Sequence, residues 1–179
     1  MALTSTIYNF DIDLADTDRG VYETLALRVA RHPSESEDYL VTRVLAYALE
    51  FCDGIQFSSG GLSTPDEPAI TVKDLTGRLQ AWIEIGTPDA ARLHRASKAA
   101  PRLAVYLHRD ATQFLARLEG ERIHRVEAVE IYSIDRHLLS ELVNRLERRM
   151  NFSVGINERE LCVSIASDTY TGGVTRHHL

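Results

Sequence analysis

Cysteine is scarce in this chain, whose 179 residues include only Cys52 and Cys162. The two residues form neither a Cys-x-x-Cys pair nor the ligand spacing of a zinc site. The sequence therefore predicts no disulfide framework and no thiolate metal centre. We expect both residues to be reduced, buried, structural thiols of the kind found in cytosolic proteins.

Long apolar runs and an excess of basic charge are also missing. No apolar stretch approaches the roughly 20 residues that span a bilayer, and the first residues carry aspartates where a secretory leader carries bases. We therefore expect a cytoplasmic protein without a membrane partner. The formal net charge of −6 disfavours unspecific binding to DNA, so any contact with nucleic acid needs a local basic patch.

The common catalytic motifs are absent as well. The chain has no Gly-rich phosphate loop, and the residues around Ser58 and Ser59 lack the Gly-x-Ser-x-Gly order of a nucleophile elbow. The histidines of the central region lack the i, i+4 spacing of a helical metal pair. Mononucleotide-binding, dinucleotide-binding and serine-hydrolase classes are therefore not indicated.

The patterns that are present predict a mixed α/β fold in a single domain, residues 1–179. From Leu79 onward, apolar strands alternate three times with amphipathic helices, which is typical of a partly parallel sheet. Strand pairs over residues 5–32 and 152–167 would add antiparallel hairpins. We thus expect a mixed central β-sheet with flanking helices, and a loosely ordered tail from residue 169.

The first helix is the clearest local prediction. Residues 32–54 repeat apolar side chains at helical spacing, with Ser34 as the N-cap and Glu37 three residues later as a capping box. Gly54 would end this helix. On this prediction Glu35 falls in the first helical turn.

Glu84 is the residue that most directly suggests chemistry. It lies near the carboxyl end of a predicted strand, and Thr87 and Pro88 then start a helix. Ligands gather at such strand ends in open α/β sheets. If the helix covers Trp82 on the same face, an ionised Glu84 needs a cation beside it. The alternative is an amphipathic strand with Glu84 on its solvent-exposed face.

Two more carboxylates could join Glu84. Asp66 stands between two prolines before a short predicted strand, and if the two strands pair, Asp66 and Glu84 could share one Mg²⁺ ion, which prefers oxygen ligands. Glu35 could position water or a second ion. The alternatives are a solvated turn residue for Asp66 and a partner of the helix dipole for Glu35.

Basic residues follow Glu84 at intervals of three. Arg92, Arg95 and Lys98 would line one face of the helix, and Lys98 is one of only two lysines in the chain. Near a metal, such a group could stabilise the charge of a phosphoryl transition state. The alternative is a solvated basic face near a helix C-terminus, which the helix dipole also favours.

Several segments together resemble the bacterial YaeQ family. They are "ARHPSES" before an apolar helix, "DEP", "WIEIGTPDAARLHRAS" and "AVYLH", and the likeness spans most of the chain. The resemblance implies a variant of the PD-(D/E)XK nuclease-like fold, in which helices flank a mixed sheet. It places the acidic pair of the nuclease motif at Asp66 and Glu84, which would hold Mg²⁺ or Mn²⁺, and the helix acid at Glu35.

The sequence departs from that motif at one position. Gly86 stands where the motif has a lysine, so Arg95 or Lys98 would have to replace it. Arginine can stabilise charge but hardly acts as a base. Two hypotheses follow: a metal-dependent phosphodiester hydrolase, or a catalytically inactive module on the same fold that binds a protein or a nucleic acid. We expect a monomer in either case.

Overall fold

The computed structural model describes residues 4–59 and 66–179. Within those residues the chain forms ten strands and four α-helices. The strands are β1 (Thr6–Asp16), β2 (Val21–Arg31), β3 (Ile55–Phe57), β4 (Ile70–Lys73), β5 (Leu79–Ile85), β6 (Arg102–Leu107), β7 (Glu130–Ile134), β8 (Arg149–Asn157), β9 (Glu160–Ile165) and β10 (Asp168–His177). The helices are α1 (Glu37–Leu49), α2 (Ala90–Ala99), α3 (Ala111–Leu118) and α4 (Arg136–Asn144).

The ten strands form one mixed sheet. Its order is β2-β1-β8-β9-β10-β7-β6-β5-β4-β3, and the β1–β8, β5–β6 and β6–β7 pairs are parallel. The sheet is nearly closed, and one apolar core extends over its inner face from β1 and β2 to β4, β5 and β6. The mixed α/β class and both predicted hairpins are confirmed.

Strand β10 joins the two halves of the sheet. Its first part pairs with β9 and its last part, from Val174, pairs with β7. A Cβ atom on Gly172 would lie 2.7 Å from the Cβ of Leu138, so only glycine lets α4 pack this closely on the strand. The prediction of a loose tail is wrong, because two neighbouring strands satisfy the backbone of this segment.

Helix α1 lies against the inner face of the sheet and is buried on almost all sides, whereas α2 and α3 cover the outer face of β5, β6 and β7. The parallel strands β5, β6 and β7 are therefore covered on both faces, whereas the outer side chains of the parallel pair β1–β8, such as Asp11 and Asp13, are exposed. None of the helices in the described part of the chain has the length and apolar character needed to cross a membrane.

Cys52 and Cys162 are free and exposed, so the predicted burial of both thiols is wrong.

Two predicted helix starts are displaced. Ser36, not Ser34, caps α1, since its hydroxyl accepts a hydrogen bond from the Tyr39 N–H. Asp89, not Thr87, caps α2 in the same way. Several Ser, Thr and Asp residues precede each helix, and each can act as a cap on sequence grounds. One consequence is that Glu35 lies just outside α1 rather than in its first turn.

Candidate functional site

A polar cavity of about 440 Å³ lies at the carboxyl ends of β5 and β6. The segment after β5, the two residues after β6 and the start of α1 form its wall. Its charged and aromatic lining residues are Glu35, Tyr39, Glu67, Glu84, Arg92, His108 and Arg109. The cavity therefore lies at the edge of the sheet where the strand order predicted a site.

Glu84 is buried at the base of this cavity, with only 4% of its surface exposed. Strand alternation places Glu84 and Trp82 on the outer face of β5, under α2, so the solvent-exposed alternative is wrong. The Nε1–H of Trp82 donates to Glu84 Oε1 at 2.5 Å, and the Nε–H of Arg92 donates to the same oxygen at 2.8 Å. A buried carboxylate thus has a cation beside it, as burial demands.

The environment of Glu84 raises the pKa of its carboxyl group. Burial is the main cause, because a low-dielectric surrounding disfavours the ionised form. The hydrogen bond from Trp82 and the charge and hydrogen bond of Arg92 act in the opposite direction without cancelling the effect of burial. The ionised form of the buried Glu84 is therefore stabilised by Trp82 and Arg92, but less than burial destabilises it.

Of the three basic residues predicted on α2, Arg92 is the one that reaches the cavity. It is 22% exposed, and its Nη2 donates to the backbone oxygen of Glu67 at 2.8 Å, which ties α2 to the segment before β4. Arg95 and Lys98 are exposed and do not line the cavity. A three-residue step falls about 60° short of a full helical turn, so the second and third residues rotate away from the first.

Glu35 reaches the cavity from the segment before α1, but Arg43 binds its carboxylate. Both residues are 2% exposed, and the two guanidinium Nη atoms of Arg43 contact the two carboxylate oxygens at 3.4 and 3.2 Å. Arg43 Nη2 also donates to the backbone oxygen of Ala30 at 2.8 Å. This buried ion pair connects α1 to the end of β2.

Tyr39 and His108 were not predicted as site residues. Burial raises the pKa of Tyr39, Glu35 and Glu84 raise it further, and Arg43 and Arg92 oppose them, so Tyr39 lies within the field of both ion pairs. The His108 ring packs edge-to-face on the Tyr39 ring, with centroids 6.2 Å apart. His108 directly follows β6, and the strand-end argument used for Glu84 would have found it.

His108 also has an unused polar atom. Its Nδ1 is buried, and no hydrogen-bond partner for it occurs within residues 4–59 and 66–179. Burial lowers the pKa of His108, and the charge of Arg109 lowers it further, while Asp38 opposes them. Burial and the Arg109 charge therefore favour the neutral form of the ring.

Asp66 is exposed and is not among the residues that line the cavity. Its neighbour Glu67 lines it instead, and the Glu67 carboxylate accepts a hydrogen bond from the hydroxyl of Ser58 at 3.0 Å. The structure thus brings Glu35 and Glu84 to the cavity but places Asp66 outside it. Predicting which of two adjacent acids faces inward requires the backbone path of this turn.

The donors around the cavity do not fit a shared Mg²⁺ ion. In the part of the chain that the structure covers, no three His, Cys, Asp or Glu side chains are grouped closely enough to hold a metal. Trp82 and Arg92 already occupy one oxygen of Glu84. Binding would require Arg92 to leave Glu84 and Asp66 to enter the cavity. The Mg²⁺ or Mn²⁺ site at Asp66 and Glu84 stays a prediction.

Gly86 stands where the sequence resemblance would have placed a lysine, and its backbone conformation favours glycine. Its φ angle is +89°, in the region that side-chain-bearing residues rarely adopt, and its N–H donates to the backbone oxygen of Tyr106 at 2.9 Å. A Cβ atom there would meet only ordinary contacts with His108 and Tyr39, so the backbone conformation, not space, disfavours another residue. Glycine is therefore the residue that this turn requires.

We expect Glu84→Gln to leave the fold intact and to raise its stability at neutral pH by up to about 1 kcal/mol. The amide oxygen can still accept the bonds from Trp82 and Arg92, and the buried charge is gone. The pKa of Glu84 is higher in the folded protein than its ordinary value of 4.5. The stability of the wild type therefore falls as the pH rises from 4.5 through the pKa of Glu84 in the folded state. The gain should therefore grow with pH across this window.

Urea unfolding across that pH range measures the effect, and Glu84→Ala is the matched control. Alanine leaves the buried Trp82 N–H without an acceptor and should cost about 1–3 kcal/mol. A loss above about 1 kcal/mol for Glu84→Gln itself would show that the ion pair with Arg92 stabilises the fold, contrary to this expectation.

Comparison with known proteins supports the family resemblance seen in the sequence. The sequence profile described as "YaeQ protein" matches residues 1–172. The chain is 29% identical over 167 residues to "Uncharacterized protein YaeQ" of Salmonella typhi, covering 93% of this chain and 92% of the relative. It is 27% identical over 165 residues to the protein of the same name of Escherichia coli K12, covering 92% and 91%.

Two crystal structures have the same fold. The YaeQ protein from Pseudomonas syringae superposes with a TM-score of 0.86 and 31% identity, over 96% of this chain and 95% of that one. The YaeQ protein from Xanthomonas axonopodis pv. citri superposes with a TM-score of 0.88 and 28% identity, over 98% and 99%. With a profile match over nearly its whole length and relatives that share its fold, this chain belongs to the YaeQ family.

Proposed function

We propose that this protein is a catalytically inactive variant of the PD-(D/E)XK nuclease-like fold that binds nucleic acid at the cavity without cleaving it. The observation that carries the proposal is the hydrogen bond of 2.8 Å between Arg92 Nε and Glu84 Oε1. A guanidinium group occupies the carboxylate that a metal would need. Gly86, two residues after Glu84, has a positive φ angle that disfavours a lysine at this position, so this position supplies no lysine base.

The lining of the cavity suits a phosphate-bearing ligand. Arg92 and Arg109 both line the cavity and keep exposed surface. Arginine is the side chain best matched to phosphate oxygens. A volume of about 440 Å³ is also within the range of pockets that hold small organic groups such as a nucleotide.

The second candidate is a Mg²⁺-dependent phosphodiester hydrolase with Glu35, Asp66 and Glu84 as its acids and Arg95 or Lys98 as its basic residue. The observation that favours it is the burial of Glu84, with a raised pKa, in a cavity that two more acids, Glu35 and Glu67, also line. It would need the rearrangements of Arg92 and Asp66 described above. A bound metal would supply Lewis-acid activation of the scissile phosphate.

One experiment separates the two candidates. Labelled single-stranded and duplex DNA and RNA are incubated with the wild type and with Glu84→Gln, in EDTA and in millimolar Mg²⁺ or Mn²⁺. We expect binding in EDTA, no cleavage in metal, and no metal-dependent rise in melting temperature. Arg92→Gln should weaken binding by roughly tenfold, because one phosphate-binding group is removed.

The controls make a positive result interpretable. Cleavage that needs metal and disappears in Glu84→Gln would establish the hydrolase and overturn the proposal. Cleavage that persists in Glu84→Gln would identify a contaminating nuclease. A melting temperature that metal raises in the wild type only would show a metal site at Glu84.

A further inference from the structure

A second cavity of about 640 Å³ adjoins the first at the same edge of the sheet. It lies among the first residues of α1, α3 and α4. Four residues line both cavities, namely Ser36, Thr87, His108 and Arg109. The two cavities are therefore neighbouring compartments of one groove.

Three arginines line this second cavity. Arg109 follows β6, Arg117 lies in the last turn of α3, and Arg136 is the first residue of α4. All three are exposed, and within residues 4–59 and 66–179 none of them forms an ion pair or a side-chain hydrogen bond. Arg117 lies over the Phe114 ring, with its Cζ 6.0 Å from the ring centroid.

Some other arginines of this chain bind acids, whereas Arg28 and Arg78, for example, form no ion pair among the described residues. Arg19 contacts Asp16, Arg102 contacts Glu50 and Glu130, and Arg145 contacts Asp168. Among the described residues, the three arginines of the second cavity form no ion pair, although Arg136 acts electrostatically on Asp110, and the chain as a whole has a net charge of −6. Such a group is the local basic patch that binding to nucleic acid requires.

The acids of the second cavity neutralise its charge only in part. Two acids line it, Asp38 and Asp110, against three arginines. The Asp110 carboxylate caps α3 by accepting the Thr112 N–H at 2.7 Å, and it keeps its charge, which Arg136 helps to stabilise. The helix starts that surround the cavity add partial positive charge from their unpaired N–H groups.

We propose that this arginine-lined cavity binds the backbone phosphates of a single-stranded nucleic acid whose neighbouring nucleotide occupies the first cavity. The inference rests on the proposed function and names the form of its ligand. The three cations come from three separate elements around a cavity of about 640 Å³, which has room for more than one phosphate group. A flexible strand can enter two adjoining cavities, whereas the bases of a duplex stay stacked inside the helix.

The test is fluorescence anisotropy in EDTA with a labelled single-stranded oligonucleotide, a duplex of the same length and a labelled acidic peptide. The variant is Arg117→Gln with Arg136→Gln, two residues that line only the second cavity. Its matched control is Arg28→Gln with Arg78→Gln, two exposed arginines elsewhere that change the net charge equally. Exposed positions should leave the melting temperature of both variants unchanged.

We expect the Arg117 and Arg136 variant to bind the single strand at least about tenfold more weakly, with a salt dependence smaller by roughly 0.7 for each phosphate that is no longer neutralised. The control variant should bind within about twofold of the wild type, since its arginines lie away from the groove. Equal reductions in affinity for both variants would show a general charge effect and overturn the inference. Tighter binding of the duplex or of the acidic peptide would overturn it as well.

The same assay distinguishes failure of this inference from failure of the proposed function. If Arg92→Gln abolishes binding and the Arg117 and Arg136 variant binds normally, the first cavity binds nucleic acid but the second cavity does not. If the Arg117 and Arg136 variant fails to bind while the wild type cleaves the strand in Mg²⁺, the second cavity binds the strand as proposed. In that case the proposal of a catalytically inactive protein is wrong. If the wild type binds no strand, both proposals are wrong.

Discussion

Replacing Arg43 by methionine is expected to lower the free energy of unfolding by about 3–5 kcal/mol, the cost of breaking a buried ion pair. Glu35 would then be an ionised carboxylate that is 2% exposed and has no guanidinium beside it from Arg43. The carbonyl of Ala30 would no longer accept a bond from Nη2. The stacking of Arg43 near the rings of Tyr39 and Phe57, with Cζ 5.8 and 5.7 Å from their centroids, would disappear too.

Equilibrium unfolding in urea measures this cost, and two further variants assign its origin. The double variant Glu35→Gln with Arg43→Met removes both charges and should recover a large part of the stability, because the penalty arises from a buried charge that has lost its contact with Arg43. Arg28→Met, at an exposed position, should cost less than about 0.5 kcal/mol. A cost below about 1 kcal/mol for Arg43→Met would contradict the ion pair between Glu35 and Arg43.

The result also bears on the role of Glu35. Both carboxylate oxygens of Glu35 contact the buried guanidinium group of Arg43. Glu35 therefore holds the segment before α1 in place, and its oxygens are poorly placed to activate water. Recovery in the double variant, with binding of nucleic acid unchanged, would assign Glu35 to the scaffold. The hydrolase candidate requires the opposite, a Glu35 whose replacement abolishes cleavage without a decrease in stability.

The second large effect is expected at the opposite end of the strands, where β6 begins with Arg102. Replacing Arg102 by Gln should lower the free energy of unfolding by about 2 kcal/mol. The guanidinium group of Arg102 donates to both oxygens of Glu50, at 2.6 and 2.9 Å, and to both oxygens of Glu130, at 3.0 and 2.7 Å. It thereby ties the C-terminal cap of α1 to β6 and β7. The expected cost is below that for Arg43, because the Arg102 side chain is 36% exposed and water screens part of the interaction.

This cost should depend on pH in a defined direction. Burial alone would raise the pKa of Glu130, but the hydrogen bond and charge of Arg102, with further help from Tyr132 and Arg176, outweigh it and lower the pKa. Because the pKa of Glu130 is lower in the folded protein than its ordinary value of 4.5, ionised Glu130 stabilises the fold above pH 4.5. This contribution disappears as the pH falls through the pKa of Glu130 in the folded state. The difference between wild type and Arg102→Gln should therefore shrink on acidification.

Urea unfolding at neutral and acid pH tests this prediction, with Arg102→Lys as the control. Lysine keeps the charge but cannot contact two carboxylates in the planar geometry of a guanidinium, so it should recover only part of the stability. Glu50 would keep the hydrogen bond from the Tyr106 hydroxyl in every variant. A pH-independent difference between wild type and Arg102→Gln would show that charge is not the cause.

Much of the local structure follows from short-range patterns. The alternation in residues 5–16 predicted β1 and its buried face, and the Asp-rich turn after it predicted the pairing with β2. The helix caps were less certain, because several serines and acids precede or begin α1 and only one serine accepts the bond from Tyr39 N–H. Strand β10 was missed because its glycines and threonines do not show an apolar alternation, and one of its pairing partners, β7, is distant in sequence.

The candidate site divides in the same way. The sequence predicted Glu84 at a strand end under a helix, and the neighbouring ion pair was foreseen only as a need for some cation. That Arg92 supplies it, and that Arg95 and Lys98 face solvent, depends on how α2 is rotated against β5. That Glu67 rather than Asp66 lines the cavity depends on the path of the turn before β4.

The sequence by itself determined most of the strands and helices, though not β10, together with the apolar face of those elements and the carboxylate at the carboxyl end of β5. These features are local, because side-chain periodicity and turn chemistry act over a few residues. Only the tertiary structure decided which cation pairs with Glu84, that the sheet curls around α1, and that three arginines from separate elements meet in one groove. Those outcomes depend on packing between residues far apart in the chain, and no short-range pattern encodes them.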